Sequence, residues 1–189
     1  MHKRLFIALP LPQTALKALA KYRDTMGRET PYLRWTPVAN LHVTALFLGN
    51  VAEESIPFAA EALQNVCRAA KPFPLVCESA RYAPPQSVPN MVWLSCRKSR
   101  LFLALVKRLA AALSAFAPEM DWSPRKADTP HVTLARFQKS VLPERLRRLR
   151  RTGLESTSVA VSSCALMESE LTPSGPFYRT LSSYSFMLE

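Results

Sequence analysis

The sequence predicts an α+β fold of two pseudo-symmetric lobes enclosing a central cleft, formed as one bilobal domain over residues 1–189. Three observations carry this. The tripeptide His-Val-Thr occurs twice, at His42-Val43-Thr44 and His131-Val132-Thr133. Each copy opens an apolar run rich in β-branched and aromatic residues, which reads as a strand. The elements around the two copies repeat in order: a helix, a proline-bearing connection with a tryptophan (Trp35, Trp122), the repeated strand, then another helix. Finally, 189 residues of which 48% are hydrophobic suffice for one domain or two small lobes with a sizeable core, and argue against disorder.

Taken in order, Arg4–Leu9 is an apolar run closed by Pro10 and Pro12 and predicts a buried strand. Pro12 suits the first turn of a helix. Leu16, Leu19, Ala20 and Tyr22 then line one face over Gln13–Met26, with Gly27 as its end. Residues 28–40 read as a polar connection holding Pro31, Trp35 and Pro37. The first repeated strand covers Leu41–Leu48 and stops at Gly49-Asn50. A second helix over Ile56–Ala70 carries a stripe of Phe58, Ala59, Ala62, Leu63 and Val66. Phe73–Tyr82 and Asn90–Arg97 predict a strand pair around a proline-rich loop. Leu101–Phe116 is the clearest helix, with Leu101, Leu105, Leu109, Ala112 and Leu113 on one side. A second polar connection, residues 118–130, holds Trp122, Arg125 and Lys126 and leads into the repeated strand His131–Phe137. Pro143 opens a short basic helix to Arg151, whose arginines either bind phosphates or form a solvated face. Ser156–Glu168 reads as one long strand, residues 171–176 as a turn, and Tyr178–Leu188 as a final strand.

Composition narrows the function. Twenty-five Lys and Arg against 14 Asp and Glu leave a net charge of +11. Such a field favours a polyanionic partner, nucleic acid or a phosphorylated substrate, although a basic surface without a partner would have the same composition. Cys67, Cys77, Cys96 and Cys164 lack metal-ligand spacing and sit in apolar segments, which predicts buried, reduced thiols in a cytoplasmic protein. His2-Lys3-Arg4 and the apolar run after it imitate a signal peptide, but Pro10, Pro12 and Lys17 break the pattern, so strand then helix is the better reading. No stretch approaches the roughly 20 apolar residues that span a bilayer, so no membrane partner is expected. Phosphate-binding glycine loops, HExxH and a nucleophile elbow are all absent. Two histidines with distant acids are too few ligands for a metal site, so neither metal nor cofactor is expected. Asp128 stands where it would either orient His131 or cap a turn.

The repeat itself carries chemistry. Side chains alternate faces along a strand, so His42 and Thr44 share one face and Val43 takes the other. The same holds for His131, Thr133 and Val132. Two such strands face to face would line a cleft with two proton carriers and two hydroxyls. Imidazole, with an ordinary pKa of about 6.5, is available in both states near neutral pH. Flanking a phosphorus, one histidine takes a proton from water while the other gives one to the departing oxygen. Each role is typically worth about 10²–10⁴ in rate. Hydroxyls two residues along can hold the non-bridging oxygens as charge spreads over them. A reactive phosphodiester, above all a strained cyclic phosphate, suits this arrangement. The alternative is a non-catalytic RNA- or nucleotide-binding module that grips phosphate in the same cleft without turnover.

These residues resemble the 2H phosphoesterase superfamily, and within it the RNA 2′,3′-cyclic phosphodiesterase (2′-5′ RNA ligase) family. Arg4-Leu5-Phe6-Ile7-Ala8-Leu9 is similar to its opening strand. Arg34-Trp35 and Asn40-Leu41-His42-Val43-Thr44, continued by Phe47-Leu48-Gly49, are similar to its first motif region. Val92-Trp93-Leu94 resembles its central strand, and Pro130-His131-Val132-Thr133-Leu134-Ala135-Arg136 its second motif. Glu168-Ser169-Glu170-Leu171 and Gly175-Pro176-Phe177-Tyr178 resemble its closing segments. Ala45 departs from the leucine usual in the family. The resemblance implies lobes built of antiparallel sheets with helices on their outer faces. It implies hydrolysis of RNA 2′,3′-cyclic phosphate ends, or of small cyclic nucleotides, to 2′-phosphomonoesters, with reversible 2′-5′ ligation in some members; a monomer is expected. It makes His42 the donor to the departing 3′ oxygen and His131 the acceptor from water, with Thr44 and Thr133 holding the phosphate. Arg136 is a further phosphate-contact candidate or a structural ion-pair partner. Its odd spacing from His131 turns it away from that histidine on a regular strand. Phe47, Trp35 and Tyr178 are candidates to stack on a base, with core packing as the alternative for each.

Overall fold

The computed structural model describes residues 1–84, 88–114, 129–137, 157–172 and 175–187. Trp122, Arg125, Lys126, Asp128 and the expected basic helix at 143–151 lie outside the described residues. In chain order the elements are β1 (His2–Pro10), α1 (Gln13–Glu29), β2 (Leu33–Trp35), β3 (His42–Ala52), α2 (Ile56–Arg68), β4 (Phe73–Ala83), β5 (Met91–Cys96), α3 (Arg100–Ser114), β6 (His131–Phe137), β7 (Thr157–Val161), β8 (Ser163–Thr172) and β9 (Gly175–Ser185).

The strands join in one antiparallel sheet, ordered β7-β4-β5-β6-β3-β1-β8-β9, with β2 also on β6. The order is symmetric about the β6–β3 seam. Each repeated strand lies at the centre, and the half-sheets β6-β5-β4-β7 and β3-β1-β8-β9 extend from it, which bears out the two-lobed α+β reading. The sheet is strongly curled. In a flat sheet with strands ~4.8 Å apart, β7 and β8 would lie about 29 Å from each other. Only Ser162 separates them in the chain, and one residue spans no more than about 3.6 Å. Extra residues that bend the strands supply the curl. Register slips by one at Ala45 and Leu48 in β3, Glu78 in β4, Leu134 in β6 and Leu181 in β9.

One hydrophobic core runs through both halves. Leu5, Ile7 and Leu9 of β1 join Leu19 and Met26 of α1, Leu63 of α2, Leu105 and Leu109 of α3, Val132 of β6 and Leu166 of β8. The helices cover the core side of the sheet, with α2 against α3, β8 and β9. Glu168, buried on β8, pins neighbouring strands. Arg179 on β9 donates to it through Nε and Nη2, and Lys3 on β1 lies 3.7 Å away.

Several element expectations need correction. Gly27 does not end α1, because one glycine costs a helix only about 1 kcal/mol. The helix ends just before Pro31, where the Thr30 N–H and hydroxyl both donate to the Met26 carbonyl. The polar connection hides β2, whose three residues are too few to show a period. Gly49 is a bulge at φ 71°, not a stop, and β3 continues past it to Ala52. Phe58 and Leu101 are exposed, and the buried face of α3 turns to Phe102 and Val106. The stretch read as one strand from Ser156 breaks at Ser162, because β7 pairs with β4 while β8 pairs with β1. Cys67 and Cys164 are buried free thiols as expected, but Cys77 and Cys96 are joined. These two fall opposite each other on β4 and β5, with Cα atoms 3.8 Å apart.

Leu166 is fully buried in this core. Leu166→Ala is expected to lower the unfolding free energy by about 2–5 kcal/mol in denaturant titration, through lost transfer energy and the cavity left behind.

Candidate active site

The site is set by one backbone pairing. Val43 of β3 stands opposite Val132 of β6, the single residue pair that joins these strands. Opposed residues of paired strands project to the same face, and their chain neighbours to the other. Both valines are buried in the core. His42, Thr44, His131 and Thr133 therefore all project from the opposite, cleft face, with Thr44 beside His131 and His42 beside Thr133. The repeated strands were expected face to face across a cleft; they lie side by side at its floor, and the half-sheets rise on either flank.

Backbone carbonyls set both imidazoles the same way. His42 Nδ1–H donates to the Asn40 carbonyl at 2.8 Å, and His131 Nδ1–H donates to the Thr129 carbonyl at 3.0 Å. A carbonyl can only accept, so the proton of each neutral ring sits on Nδ1 and the Nε2 lone pair is left for chemistry. The Thr44 hydroxyl lies 3.1 Å from His42 Nε2 and donates to it when the ring is neutral. Asn40 is anchored in turn, its side-chain amide donating to the Pro176 carbonyl at the start of β9.

Aromatic rings lie against both histidines. Phe6 lies 5.0 Å from the His42 ring and Tyr178 meets it edge-on at 5.4 Å. Trp93 stacks on His131 with centroids 3.7 Å apart and planes 18° from parallel. Both histidines titrate below the ordinary value. Burial is the chief cause for each, opposed by the hydrogen bond to Asn40 or Thr129. The positive charge of His131 pushes His42 down further, so the two rings are close enough to sense one another. Among the described residues, no three of His, Cys, Asp and Glu gather as a metal-ligand set.

The bulges decide which other side chains reach the cleft. Ala45 is the extra residue of β3 against β1, and Leu134 that of β6 against β5. Each bulge reverses the alternation beyond it, so the fifth residue after each histidine returns to the cleft face. These residues are Phe47, which is exposed, and Arg136. The expectation that Arg136 turns away is corrected accordingly. Its Nη1 donates to Met91 Sδ at 3.2 Å, and Arg34 of β2 stands opposite it on the same face. Trp35 is not brought to the site. It lies on the core side with Ala135, its indole N–H donating to the Thr30 hydroxyl and its ring edge-on to Tyr22. The sequence did carry a sign of the bulges, since an apolar doublet (Ala45-Leu46, Leu134-Ala135) interrupts the alternation after each threonine. Nothing in the sequence marked Trp93, Phe6 or the buried Ser95, which stands opposite His131 on β5.

A profile of the 2′-5′ RNA ligase superfamily matches residues 11–173. The chain belongs to this superfamily. Among its relatives, a Thermus thermophilus protein named RNA 2′,3′-cyclic phosphodiesterase is 33% identical, the match covering 96% of this chain and 89% of the relative. One of the same name from Aeropyrum pernix is 31% identical over 86% of this chain and 92% of the relative. A Thermus thermophilus crystal structure superposes with a TM-score of 0.83 at 29% identity, covering 97% of both chains. LigT of E. coli in its apo form shares the fold, with a TM-score of 0.72 at 21% identity over 99% of both chains. Membership agrees with the doubled motif, and these relatives match across both halves of the sheet. No helix among the described residues is long and apolar enough to cross a membrane.

The depressed histidines link pH to stability. Below about pH 6.5 the unfolded chain binds protons that the folded site resists, so stability is full above that pH and declines as pH falls through it toward the lowered folded values. Denaturant titrations at stepped pH are expected to show this decline, and less of it in His42→Gln. In His131→Gln the imidazole of His42 should titrate at higher pH by NMR, since a neighbouring charge that disfavours its protonation has gone.

Proposed function

We propose that this protein is an RNA 2′,3′-cyclic phosphodiesterase, hydrolysing cyclic phosphate ends to 2′-phosphomonoesters with a two-histidine acid/base pair and no metal. What supports the reading is the convergence of both His-x-Thr pairs on one cleft face, each imidazole fixed through Nδ1 with Nε2 left over. The names of the relatives support the same substrate class.

In this mechanism His131 Nε2 accepts a proton from water as the water oxygen bonds to phosphorus. The P–O3′ bond breaks, and His42 Nε2–H gives its proton to the departing O3′. His42 must therefore begin protonated, which its burial disfavours in the free protein. A bound phosphate anion reverses that balance by favouring the imidazolium. Thr44 then no longer donates to Nε2, and its hydroxyl is released to the phosphate. Thr133 and the Arg136 guanidinium take the remaining non-bridging oxygens, where charge concentrates in the transition state. Phe47 and Tyr178 offer ring faces to the terminal base. A 5′-hydroxyl in place of water would give a 2′-5′ linkage through the same proton transfers, which is the ligation seen as a second outcome of one site. Both motifs come from one chain, so the monomer is a complete unit.

The experiment is hydrolysis of a nucleoside 2′,3′-cyclic phosphate and of an RNA oligomer with a cyclic end, with EDTA present. Wild type is expected to turn over both. His42→Ala and His131→Ala should each lose about 10²–10⁴ in kcat. Binding that survives without any wild-type turnover would identify a binding module instead. The profile of kcat/KM against pH should be a bell, with His131 on the acid limb and His42 on the alkaline limb. Because both groups are depressed in the free protein, its maximum is expected below about pH 6.5. Phe47→Ala should raise KM more than it lowers kcat, since a stacked base is held alike in the ground and transition states.

A further inference from the structure

The two histidines are held unequally. His42 is fixed by hydrogen bonds at both ring nitrogens and enclosed by Phe6 and Tyr178. Among the described residues His131 has one hydrogen bond, from Nδ1 to the Thr129 carbonyl, and its Nε2 has no partner. Among the described residues the ring laid against it is Trp93, from β5, opposite Thr133 in register. We propose that Trp93 is a positioning residue for His131. The indole fixes the plane in which Nε2 meets the attacking water and keeps solvent off one face of the imidazole. The inference rests on His131 as the proton acceptor.

Two further observations favour it. The Trp93 indole N–H is buried and has no acceptor among the described residues, a destabilising feature that phenylalanine would avoid while filling part of the same space. A residue that breaks a local rule without structural return is expected where function requires it. The stack is also nearly parallel and at van der Waals distance, so it restrains the tilt of the imidazole as well as covering it.

The groups around His131 allow a clean titration. Thr133 and Arg136 share its face on β6, Met91 and Ser95 face it from β5, His42 and Thr44 from β3, and Arg34 from β2. Arg81 on β4 stands opposite Trp93. The carboxylate of β4, Glu78, is paired with Arg97 and Arg81. No acid on these strands touches the ring, so a change in its titration on altering Trp93 reports the cover over the ring.

The test compares Trp93→Phe, which keeps a flat face, with Trp93→Leu, which does not, and with Trp93→Met as a second variant lacking the face. Each is made in the full chain and checked for folding by thermal melt. Cytidine 2′,3′-cyclic phosphate is the substrate probe, and the His131 ring is titrated by NMR. Trp93→Leu and Trp93→Met are expected to lose about tenfold or more in kcat with KM within about threefold, because a misplaced base costs rate rather than binding. Their His131 should titrate at higher pH than in wild type, as water reaches the uncovered face. Trp93→Phe should recover most of the rate and return the titration toward wild type. Equal behaviour of the flat and non-flat variants, or an unmoved His131 titration in Trp93→Leu, would overturn the proposal. If wild type fails to hydrolyse the probe, the phosphodiesterase reading falls, and the NMR titration still decides whether Trp93 governs His131.

Discussion

The site depends on one pairing, Val43 against Val132, where two half-sheets meet. It is enforced by burial rather than by length, since both valines belong to the core. Sliding either strand by one residue would send its histidine and threonine into the hydrophobic interior and its valine into the cleft. Desolvating an imidazole and a hydroxyl without partners is costly, so the core holds the register, and the register holds the site. Residues far apart in the chain thus become neighbours without a loop or helix to position them.

Around that seam the two halves use the same device. A bulge follows each His-x-Thr, placing two residues in succession on the core face and returning the next to the cleft. The same backbone feature delivers an aromatic ring, Phe47, from one half and a cation, Arg136, from the other. The backbone device is shared by the two halves while the side chains it delivers differ. The bulges also bend the sheet, so the curl that makes the cleft and the side chains that line it have a common cause.

Electrostatically the cleft disfavours protonation of both histidines. Burial depresses both imidazoles, and the charge of His131 discourages charge on His42 further. Arginines at 34 and 136 stand on the same face, which suits the anionic substrate proposed above. In the proposed mechanism a bound phosphate anion restores the balance for His42, so the proton is best held when there is something to protonate. An aromatic shell of Phe6, Tyr178 and Trp93 keeps the site dry enough for these effects to matter.

Much was legible in the sequence. The doubled His-Val-Thr, the strand that carries each copy and the sharing of a face by histidine and threonine follow from local composition and a period of two, and all four motif residues were found that way. The existence of helices α1 to α3 was legible too, though not every boundary or facing residue, because long amphipathic patterns are read locally. Tertiary structure alone decided how strands find partners. Side by side rather than face to face, Ser162 as a break, β2 hidden in a polar connection, and the union of Cys77 with Cys96 all depend on which strands pair. Apolar pattern records that a strand is buried, not against what. The same limit explains Arg136, Trp35 and Trp93. A period of two predicts facing only while the ladder is regular, and one inserted residue reverses every assignment beyond it. Ring contacts across strands have no signature in either strand taken alone.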